Sequence, residues 1–254
     1  MREIVFSLND KIATINLNKA QTKNSLNRND LKQITEFLKK IKNMKLICLI
    51  ISSSGDTFSS GMNFKELSIG DWSKNPISEV CDKIEKLPFI SICKINGAIY
   101  GGSVELAIST DFRIGSKNCK IHIPASKFGI HYGYKGIKRC LDFFGLQITK
   151  RLLLLGEVLN FEELKGMNFF DFYCDKPSNI DKMLKCKIKQ LSQLSPDAIK
   201  KMKDSINDCK NNDINVKIEK QRFQSGFECG LILNKIRHLK LKRISVSRSE
   251  EHTS

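Results

Sequence analysis

The sequence predicts an α/β fold followed by a helical C-terminal part. Two continuous apolar runs of strand length, LICLIIS at 46–52 and FISICKI at 89–95, are typical of strands buried on both faces. Strand and helix patterns alternate up to about residue 120, which indicates an α/β core. From about residue 136 the apolar residues recur mainly at helical spacing.

The first predicted elements are a β-hairpin and a helix. Residues 3–8 and 12–17 are short strand-like runs, and the intervening Asn9-Asp10 is a hairpin signal. A helix is predicted from about Asp30, because apolar residues there recur at helical spacing. These positions are Leu31, Ile34, Phe37, Leu38 and Ile41.

The later elements follow the two buried strands. A helix is predicted to begin near Gly102, and DFRIGS at 111–116 is a further predicted strand. The remaining helices are predicted at 136–155, 161–166, 179–194, 196–211 and 213–241. We therefore divide the chain into an α/β core (1–195), a helical oligomerisation region (196–243) and a tail (244–254). We interpret that tail as non-native or disordered, because RSEEHTS matches a translated sequencing adapter.

The composition is that of a globular protein. Hydrophobic residues make up 41% and charged residues 28%, and no apolar run is long enough to span a bilayer. Nine single cysteines without a CxxC pair indicate reduced, buried thiols rather than disulfides or a metal site. The N-terminus enters a strand pattern at once, so we expect no signal peptide and a cytoplasmic protein. Mitochondrion and peroxisome remain open.

The formal net charge of +16 is the one unusual feature of the composition. Such a charge can attract nucleic acid, an anionic membrane or a phosphorylated ligand. The basic residues are nevertheless spread along the chain, with one dense stretch at 235–248, and this spread favours solvated helix faces.

Two glycine-containing loops each follow a buried strand and precede a helix. They are FSSGMNFKEL at 58–67 and INGAIYGGSVELA at 95–107. Backbone N–H groups at such loop–helix junctions can stabilise a developing oxyanion. Each loop alone is also typical of an ordinary turn, with Asn63 as a helix cap or Asn96-Gly97 as a hairpin signal. The pairing of both loops with Glu105, three residues after Gly102, is more specific.

These motifs resemble those of the crotonase (enoyl-CoA hydratase/isomerase) superfamily. FSSGMNFKEL is similar to the family's F-[CS]-[AS]-G-x-D-[IL]-x-E. INGAIYGGSVELAISTDFRI is similar to its [IV]-x-G-x-x-x-G-G-[GA]-x-E-L-[AI]-x-x-x-D-x-R-I. LNKAQTKNSLN and RLLLLGEVLNFEELKGMNFFD also resemble family segments, and the match is collinear over about 3–243. The resemblance implies a spiral of ββα units with C-terminal helices that build trimers or hexamers.

The resemblance also implies the site. The oxyanion hole falls on the backbone N–H groups of Met62 and Gly102, and Glu105 matches the first catalytic glutamate of the hydratases. No metal and no cofactor beyond coenzyme A, which the substrate carries, are implied. Substrate-binding positions fall on Lys23, Ser25, Ser60, Gly61, Asn63, Phe64, Tyr100, Gly101, Pro124, Ala125 and Phe128. Lys240 and Lys242 are expected to meet the CoA phosphate of a neighbouring subunit.

The sequence departs from the hydratases at Ala125, where they carry a second glutamate. Efficient two-carboxylate hydration is therefore not expected. FGIHYGYKGIKRCL at 128–141 is instead similar to methylmalonyl-CoA decarboxylase-like members, which lack that glutamate and place a tyrosine at the position of Tyr132. Those members carry histidine where Met62 stands, so this second resemblance is incomplete. His131 is a further candidate proton donor, although a lone loop histidine is more often structural.

The sequence thus favours hydration, dehydration or double-bond isomerisation of an enoyl-CoA, with decarboxylation of a malonyl-CoA-type thioester as the alternative. An RNA-binding relative is a second class, suggested by the charge of +16, but one Trp, four Tyr and no RNA-stacking motif argue against it. A catalytically idle CoA-binding relative is a third class, suggested by Ala125. Nucleic acid and membrane are not expected partners.

Overall fold

The computed structural model describes residues 3–63, 65–66 and 75–228. The chain forms two compact units, Met1–Pro196 and Asp197–Ser254. The first unit contains all the strands of the described residues, so the predicted α/β core is confirmed there. No helix in the described ranges is long and apolar enough to cross a membrane.

The strands of the first unit form two sheets. The strands are β1 (Ile4–Asn9), β2 (Ile12–Leu17), β3 (Cys48–Ser53), β4 (Thr57–Ser59), β5 (Ile90–Lys94), β6 (Ala98–Tyr100), β7 (Phe112–Ser116), β8 (Ile121–His122), β9 (Val158–Leu159) and β10 (Phe172–Cys174). The larger sheet has the order β1-β2-β3-β5-β7-β10, antiparallel only at the β1–β2 hairpin. The smaller sheet has the order β4-β6-β8-β9.

Eight α-helices have their bounds within the described ranges. They are α1 (Arg28–Ile41), α2 (Pro76–Glu85), α3 (Gly102–Ile108), α4 (Tyr134–Lys150), α5 (Phe161–Gly166), α6 (Ile180–Leu191), α7 (Pro196–Lys210) and α8 (Val216–Glu228). A π-helical turn at Arg151–Leu155 continues α4. Each predicted helix corresponds to one of these elements. Residues 229–241 of the predicted helix 213–241 lie outside the described residues.

The N-terminal hairpin and α1 follow the sequence pattern closely. Asp10 and Lys11 both take positive φ, as a two-residue hairpin turn requires. Helix α1 begins two residues before the predicted Asp30, because Asn27 and Asp30 form a reciprocal capping box. Four of its five predicted apolar positions are buried, whereas Phe37 is half-buried and packs against Phe6, with ring centroids 4.7 Å apart.

The smaller sheet was not predicted, because its strands have only two or three residues, too few to show an alternating pattern. Asn96-Gly97 does not close a hairpin: β5 and β6, on either side of it, belong to different sheets. Gly97 instead allows a close approach of two backbones, since a Cβ there would lie 1.8 Å from the carbonyl oxygen of Asp56. The hairpin interpretation of Asn96-Gly97 is therefore wrong.

Eight of the nine cysteines lie in the described ranges, and all eight are free thiols. Five are buried, as predicted, namely Cys48, Cys81, Cys93, Cys119 and Cys140. The prediction of burial is wrong for Cys174, which is half-buried, and for Cys186 and Cys209, which are exposed. The last two lie on the solvent faces of α6 and α7, where the surrounding lysines place the helix surface in water.

The second unit is described through α7 and α8. Arg222 of α8 pairs with Asp208 of α7 at 2.7 Å, and Ser205 Oγ donates to Glu219 Oε2 at 2.7 Å. Large apolar side chains remain exposed on both helices, at Met202, Ile206, Phe223 and Phe227. The two phenylalanine rings contact each other edge-on, with centroids 5.0 Å apart.

Candidate active site

Three loops leave the smaller sheet side by side. Strands β4, β6 and β8 are parallel neighbours, and their register aligns Ser59 with Ile99 and Ile99 with Ile121. Counting three residues onward from each of these positions gives Met62, Gly102 and Pro124. The sheet register therefore brings together the two glycine loops and the Pro124-Ala125 segment.

The backbone N–H groups of Met62 and Gly102 face the same space. The neighbours of Met62 pair with Leu26, because Leu26 N donates to the oxygen of Gly61 and Asn63 N donates to the oxygen of Leu26, each at 2.8 Å. In such a parallel bridge the N–H of Met62 points away from Leu26. Gly102 is the first residue of α3, so its N–H has no intrahelical partner.

Gly61 allows the two loops to approach each other. A Cβ on Gly61 would lie 2.8 Å from the oxygen of Tyr100 and 3.5 Å from the nitrogen of Gly102. Gly61 has φ +85° and Gly101 has φ +54°, conformations that residues with a side chain rarely adopt. Within the described part of the chain, neither the Met62 nor the Gly102 N–H donates to a protein acceptor. Two N–H groups without a described protein acceptor therefore lie on neighbouring loops.

The space in front of these amides is a cavity of about 510 Å³. Its described lining is mainly apolar and includes one carboxylate, Glu105. The lining residues are Ser60, Met62, Asn75, Ile77, Tyr100, Gly101, Gly102, Glu105, Pro124, Ala125, Phe128, Ile130, His131, Tyr132 and Gly133.

Glu105 lies on the first turn of α3 and is only 1% exposed. Its Oε1 accepts hydrogen bonds from Ser78 Oγ at 2.8 Å and from Arg139 Nη1 at 2.6 Å. Both contacts use the same oxygen. Oε2 lies on the side of Gly136 and Tyr132, where a Cβ on Gly136 would be 2.8 Å from Oε2 and 2.5 Å from Cε1 of Tyr132. Glu105 therefore keeps one oxygen for the protein and one toward the cavity side.

Arg139 holds Glu105 within a network contributed by three helices. Ser78, Asp82 and Glu85 follow each other at spacings of four and three residues, so they share one face of α2. Arg139 of α4 is 7% exposed and also pairs with Asp82 at 2.5 Å and with Glu85 at 2.8 Å. A buried charge needs such partners, because an isolated ion in the interior is costly.

The pKa values in this network have opposing causes. Burial raises the pKa of Glu105 above its ordinary value of 4.5, and the hydrogen bond from Ser78 and the charge of Arg139 limit the rise. Burial opposes the charge of Arg139, but Glu85 and Asp82 outweigh it and raise the pKa of the guanidinium. The direction predicted for Glu105 from desolvation is thus confirmed.

Tyr132 is a further polar group of the site. Its hydroxyl is buried and has no hydrogen-bond partner among the described residues, although part of its ring is exposed to the cavity. Burial, together with the nearby charge of Glu105, raises the pKa of Tyr132 well above 10. The hydroxyl therefore stays protonated at neutral pH and is available as a donor.

Most of the predicted site residues line the cavity, but several do not. Lys23, Ser25, Gly61 and Asn63 lie outside its lining, although Ser60 N donates to the oxygen of Lys23 at 2.8 Å and so connects the two loops. Phe64, Lys240 and Lys242 lie outside the described residues. Ala125 lines the cavity beside Pro124, where it supplies no titratable group.

Three residues of the site, Arg139, Ser78 and Asn75, were not predicted from the sequence. Asn75 caps α2 by accepting from the N–H groups of Ile77 and Ser78, and it lines the cavity. The sequence feature that could have pointed to Arg139 is its position one helical turn after Gly136, on the α4 face that contacts Glu105. A polar residue on an otherwise apolar helix face requires a partner, and the sequence did not say which.

Comparisons with known proteins agree with this geometry. The sequence profile of the enoyl-CoA hydratase/isomerase family matches residues 7–228. A mitochondrial methylglutaconyl-CoA hydratase of Rattus norvegicus is 30% identical over 166 residues, which are 63% of this chain and 53%, about half, of that protein. A short-chain-enoyl-CoA hydratase of Clostridium acetobutylicum is 25% identical over 214 residues, 82% of each chain.

The fold is also found among solved structures. An enoyl-CoA hydratase from Bacillus anthracis superposes with a TM-score of 0.85 and 20% sequence identity, covering 95% of this chain and 97% of the other. At this identity the likeness establishes the shared fold.

The raised pKa of Glu105 predicts how the free energy of unfolding changes with pH. Below pH 4.5 Glu105 is protonated in both states, and above it the unfolded state ionises first. The contribution of Glu105 to the free energy of unfolding should therefore fall as pH rises from 4.5 through the raised pKa of the folded state. We expect urea denaturation across this range to show the unmodified chain losing stability relative to Glu105→Gln.

Glu79→Gln is the matched control, since Glu79 is an exposed carboxylate on the neighbouring α2. Its stability curve should run parallel to that of the unmodified chain. A difference between the unmodified chain and Glu105→Gln that stays constant, or that grows with pH, would contradict the assignment.

Proposed function

The chain belongs to the enoyl-CoA hydratase/isomerase family, and on this premise we propose that it transforms an acyl group bound as a coenzyme A thioester. The backbone N–H groups of Met62 and Gly102 hold the thioester oxygen as it becomes an enolate. The observation that carries the proposal is that Met62 and Gly102, whose amides are unpartnered in the described chain, line the same cavity as one buried carboxylate. No cofactor beyond the CoA of the substrate is required.

The proposed chemistry is enolate formation with Glu105 as the proton-transfer group. In a double-bond isomerisation, its carboxylate removes a proton from the carbon next to the thioester. The C–H electron pair then forms the enolate, whose oxygen receives the two hydrogen bonds. Protonated Glu105 returns the proton to a carbon further along the conjugated chain. Arg139 and Ser78 keep the carboxylate in place throughout, because they hold only Oε1.

Hydration and dehydration use the same oxyanion site but ask more of the proton-transfer groups. Water must lose a proton as it adds, and the α-carbon must gain one. With Ala125 in the described lining, Glu105 is the one carboxylate for both transfers. We therefore propose that isomerisation or slow hydration, rather than two-glutamate hydration, is the activity of this chain.

Decarboxylation of a malonyl-CoA-type thioester is the second candidate, and the Tyr132 hydroxyl favours it. The C–CO₂ bond would break, its electron pair would enter the enolate, and CO₂ would leave. Tyr132 would then deliver a proton to the α-carbon. Its hydroxyl is buried beside Glu105 and has no hydrogen-bond partner within the described ranges.

For the remaining parts of the site, the proposals follow the family resemblance. Ser60, Tyr100, Gly101, Pro124, Ala125 and Phe128 contact the acyl and pantetheine parts, a role that their place in the cavity lining supports. The nucleotide and pantetheine would run past Lys23, Ser25, Asn63 and Phe64, and Gly61 is a further substrate-binding position. We propose a cytoplasmic location, supported by free thiols at all eight described cysteines.

We also propose that the chain assembles with copies of itself through residues 196–243, as a trimer or hexamer. Phe223 is 71% exposed and Phe227 is 62% exposed, and they lie one helical turn apart on α8. Exposed aromatic pairs of this kind are enriched at interfaces, because a second surface removes them from water. Leu231 and Leu233, two further apolar residues of the predicted helix 213–241, lie outside the described residues.

The proposed activity is tested by incubating the protein with a mixed panel of acyl-CoA thioesters and measuring the products by mass spectrometry. We expect a change of double-bond position at constant mass, or a gain or loss of water, and Glu105→Gln should slow it by about 10²–10⁴. Loss of CO₂ that survives in Glu105→Gln but not in Tyr132→Phe would establish the decarboxylase instead. A panel left unchanged, with no binding at millimolar ligand, would contradict the proposed function.

The same panel tests the role of Ala125. Ala125→Glu should raise hydration of crotonyl-CoA by about tenfold or more, because it supplies the second acid/base group. Ala125→Gln is the control of equal size without a titratable group and should bring no such gain. Equal gains in both variants, or hydration by the unmodified chain as fast as in Ala125→Glu, would contradict the single-glutamate account.

The proposed assembly is tested by analytical ultracentrifugation at micromolar protein. The unmodified chain should sediment as a trimer or hexamer, and the double variant Phe223→Asp/Phe227→Asp should sediment as smaller species. Gln224→Asp adds a charge on the same helix without removing an apolar ring and should leave the assembly intact. A stable monomer of the unmodified chain would contradict the proposal.

A further inference from the structure

A buried pair of serine hydroxyls joins the two loops that carry the amides. Ser103 Oγ donates to Ser59 Oγ at 2.6 Å, and both side chains are fully buried. Ser103 directly follows Gly102, and Ser59 lies three residues before Met62. The family pattern that this segment resembles has Gly or Ala at the position of Ser103. The Ser103 hydroxyl is therefore a departure from that pattern.

Ser59 Oγ is the centre of a saturated set of hydrogen bonds. It donates to the oxygen of Asn24 at 2.7 Å, and it accepts from Gly61 N at 3.2 Å as well as from Ser103. Its single proton is used, so the direction of each bond in the set is fixed. The N–H of the residue before Met62 and the hydroxyl of the residue after Gly102 therefore share one acceptor.

The far end of this set is also held firmly. Asn24 is buried, and its side-chain amide donates to the oxygens of Ser54 and Thr57, each at 2.8 Å, while its Oδ1 accepts from Lys19 N at 2.8 Å. Asn24 is thereby fixed to the loop that precedes β4. Movement of α3 away from the β4 loop would break the Ser103–Ser59 bond and leave a polar atom buried without a partner.

We propose that Ser59 and Ser103 are a positioning pair that sets the separation of the Met62 and Gly102 amides. This inference rests on the proposed function and deepens it, because it assigns the geometry of the oxyanion site to two side chains that do not touch the substrate. Backbone donors stabilise an oxyanion only when both lie at hydrogen-bond distance from one oxygen position. Loss of the Ser59–Ser103 hydrogen bond should thus reduce the polarisation of the thioester carbonyl more than it reduces the binding affinity for the thioester.

The test uses a conjugated thioester, 2,4-hexadienoyl-CoA, whose absorption moves to longer wavelength when its carbonyl is polarised. The unmodified protein should bind it with such a shift. Ser103→Ala removes only the cross-link, since Ser59 keeps Gly61 and Asn24, and alanine also fits the family pattern at this position. We expect Ser103→Ala to bind within about threefold of the unmodified affinity while showing at most half of the spectral shift.

Ser109→Ala is the matched control. Ser109 is a buried serine immediately after the same helix, and its hydroxyl donates to the oxygen of Leu106 at 2.8 Å, away from Gly102. It should retain the full shift, and thermal melting verifies the fold of each variant. Ser59→Ala and the double variant complete a cycle in which the double variant should lose no more shift than Ser59→Ala alone.

The outcomes separate this inference from the function on which it rests. A full shift in Ser103→Ala, or an equal loss in Ser103→Ala and Ser109→Ala, would overturn the positioning pair and leave the proposed function standing. Absence of binding or of any shift in the unmodified protein would overturn both. A loss confined to the Ser59 and Ser103 variants, at nearly unchanged affinity, supports the pair.

Discussion

The ion pair between Glu105 and Arg139 is the interaction on which the site depends. A carboxylate that is 1% exposed would lose most of its solvation, and its charge is tolerated because Arg139 and Ser78 bind the same oxygen. Arg139 is in turn satisfied by Asp82 and Glu85 at the edge of the network. The position of Glu105 therefore depends on how α2, α3 and α4 pack against one another.

The same arrangement supports the proposed role of Glu105 as a base in a mostly apolar cavity. Full burial without a partner would protonate Glu105 at neutral pH, whereas full solvation would leave it a weak base. Arg139 limits the rise in the pKa of Glu105 without contacting the oxygen on the cavity side. Beside it, the pairing of β4, β6 and β8 brings together the loops that carry Met62 and Gly102. Charge and backbone geometry are thus supplied by different elements.

Much of the first unit was predictable from the sequence, because its elements are long or strongly patterned. The apolar runs of β3 and β5, the capped helix α1 and the glycine loops each carry a local signal. The second sheet carries none, since its strands are two or three residues long and exist only through their pairing. Cys186 and Cys209 show the limit of composition, because a cysteine on a lysine-rich helix face is not buried by its type alone.

The site was predictable where backbone conformation favours glycine, as at Gly61 and Gly101, which both have positive φ. The partners of Glu105 were not predictable, because Arg139 is 34 residues away and Ser78 is 27 residues away in sequence. The same is true of the bond between Ser59 and Ser103, which spans 44 residues. Such contacts depend on helix packing, and a single sequence carries no record of which polar residues meet across it.

Exchange of α-protons with solvent tests the central claim most directly, since it needs no knowledge of the natural acyl group. Butyryl-CoA incubated with the protein in deuterium oxide should gain deuterium at the carbon next to the thioester, because the two amides stabilise the enolate and Glu105 carries the proton. Mass spectrometry should show this gain for the unmodified protein and its loss in Glu105→Gln. No exchange by the unmodified protein, or equal exchange in the variant, would contradict the account.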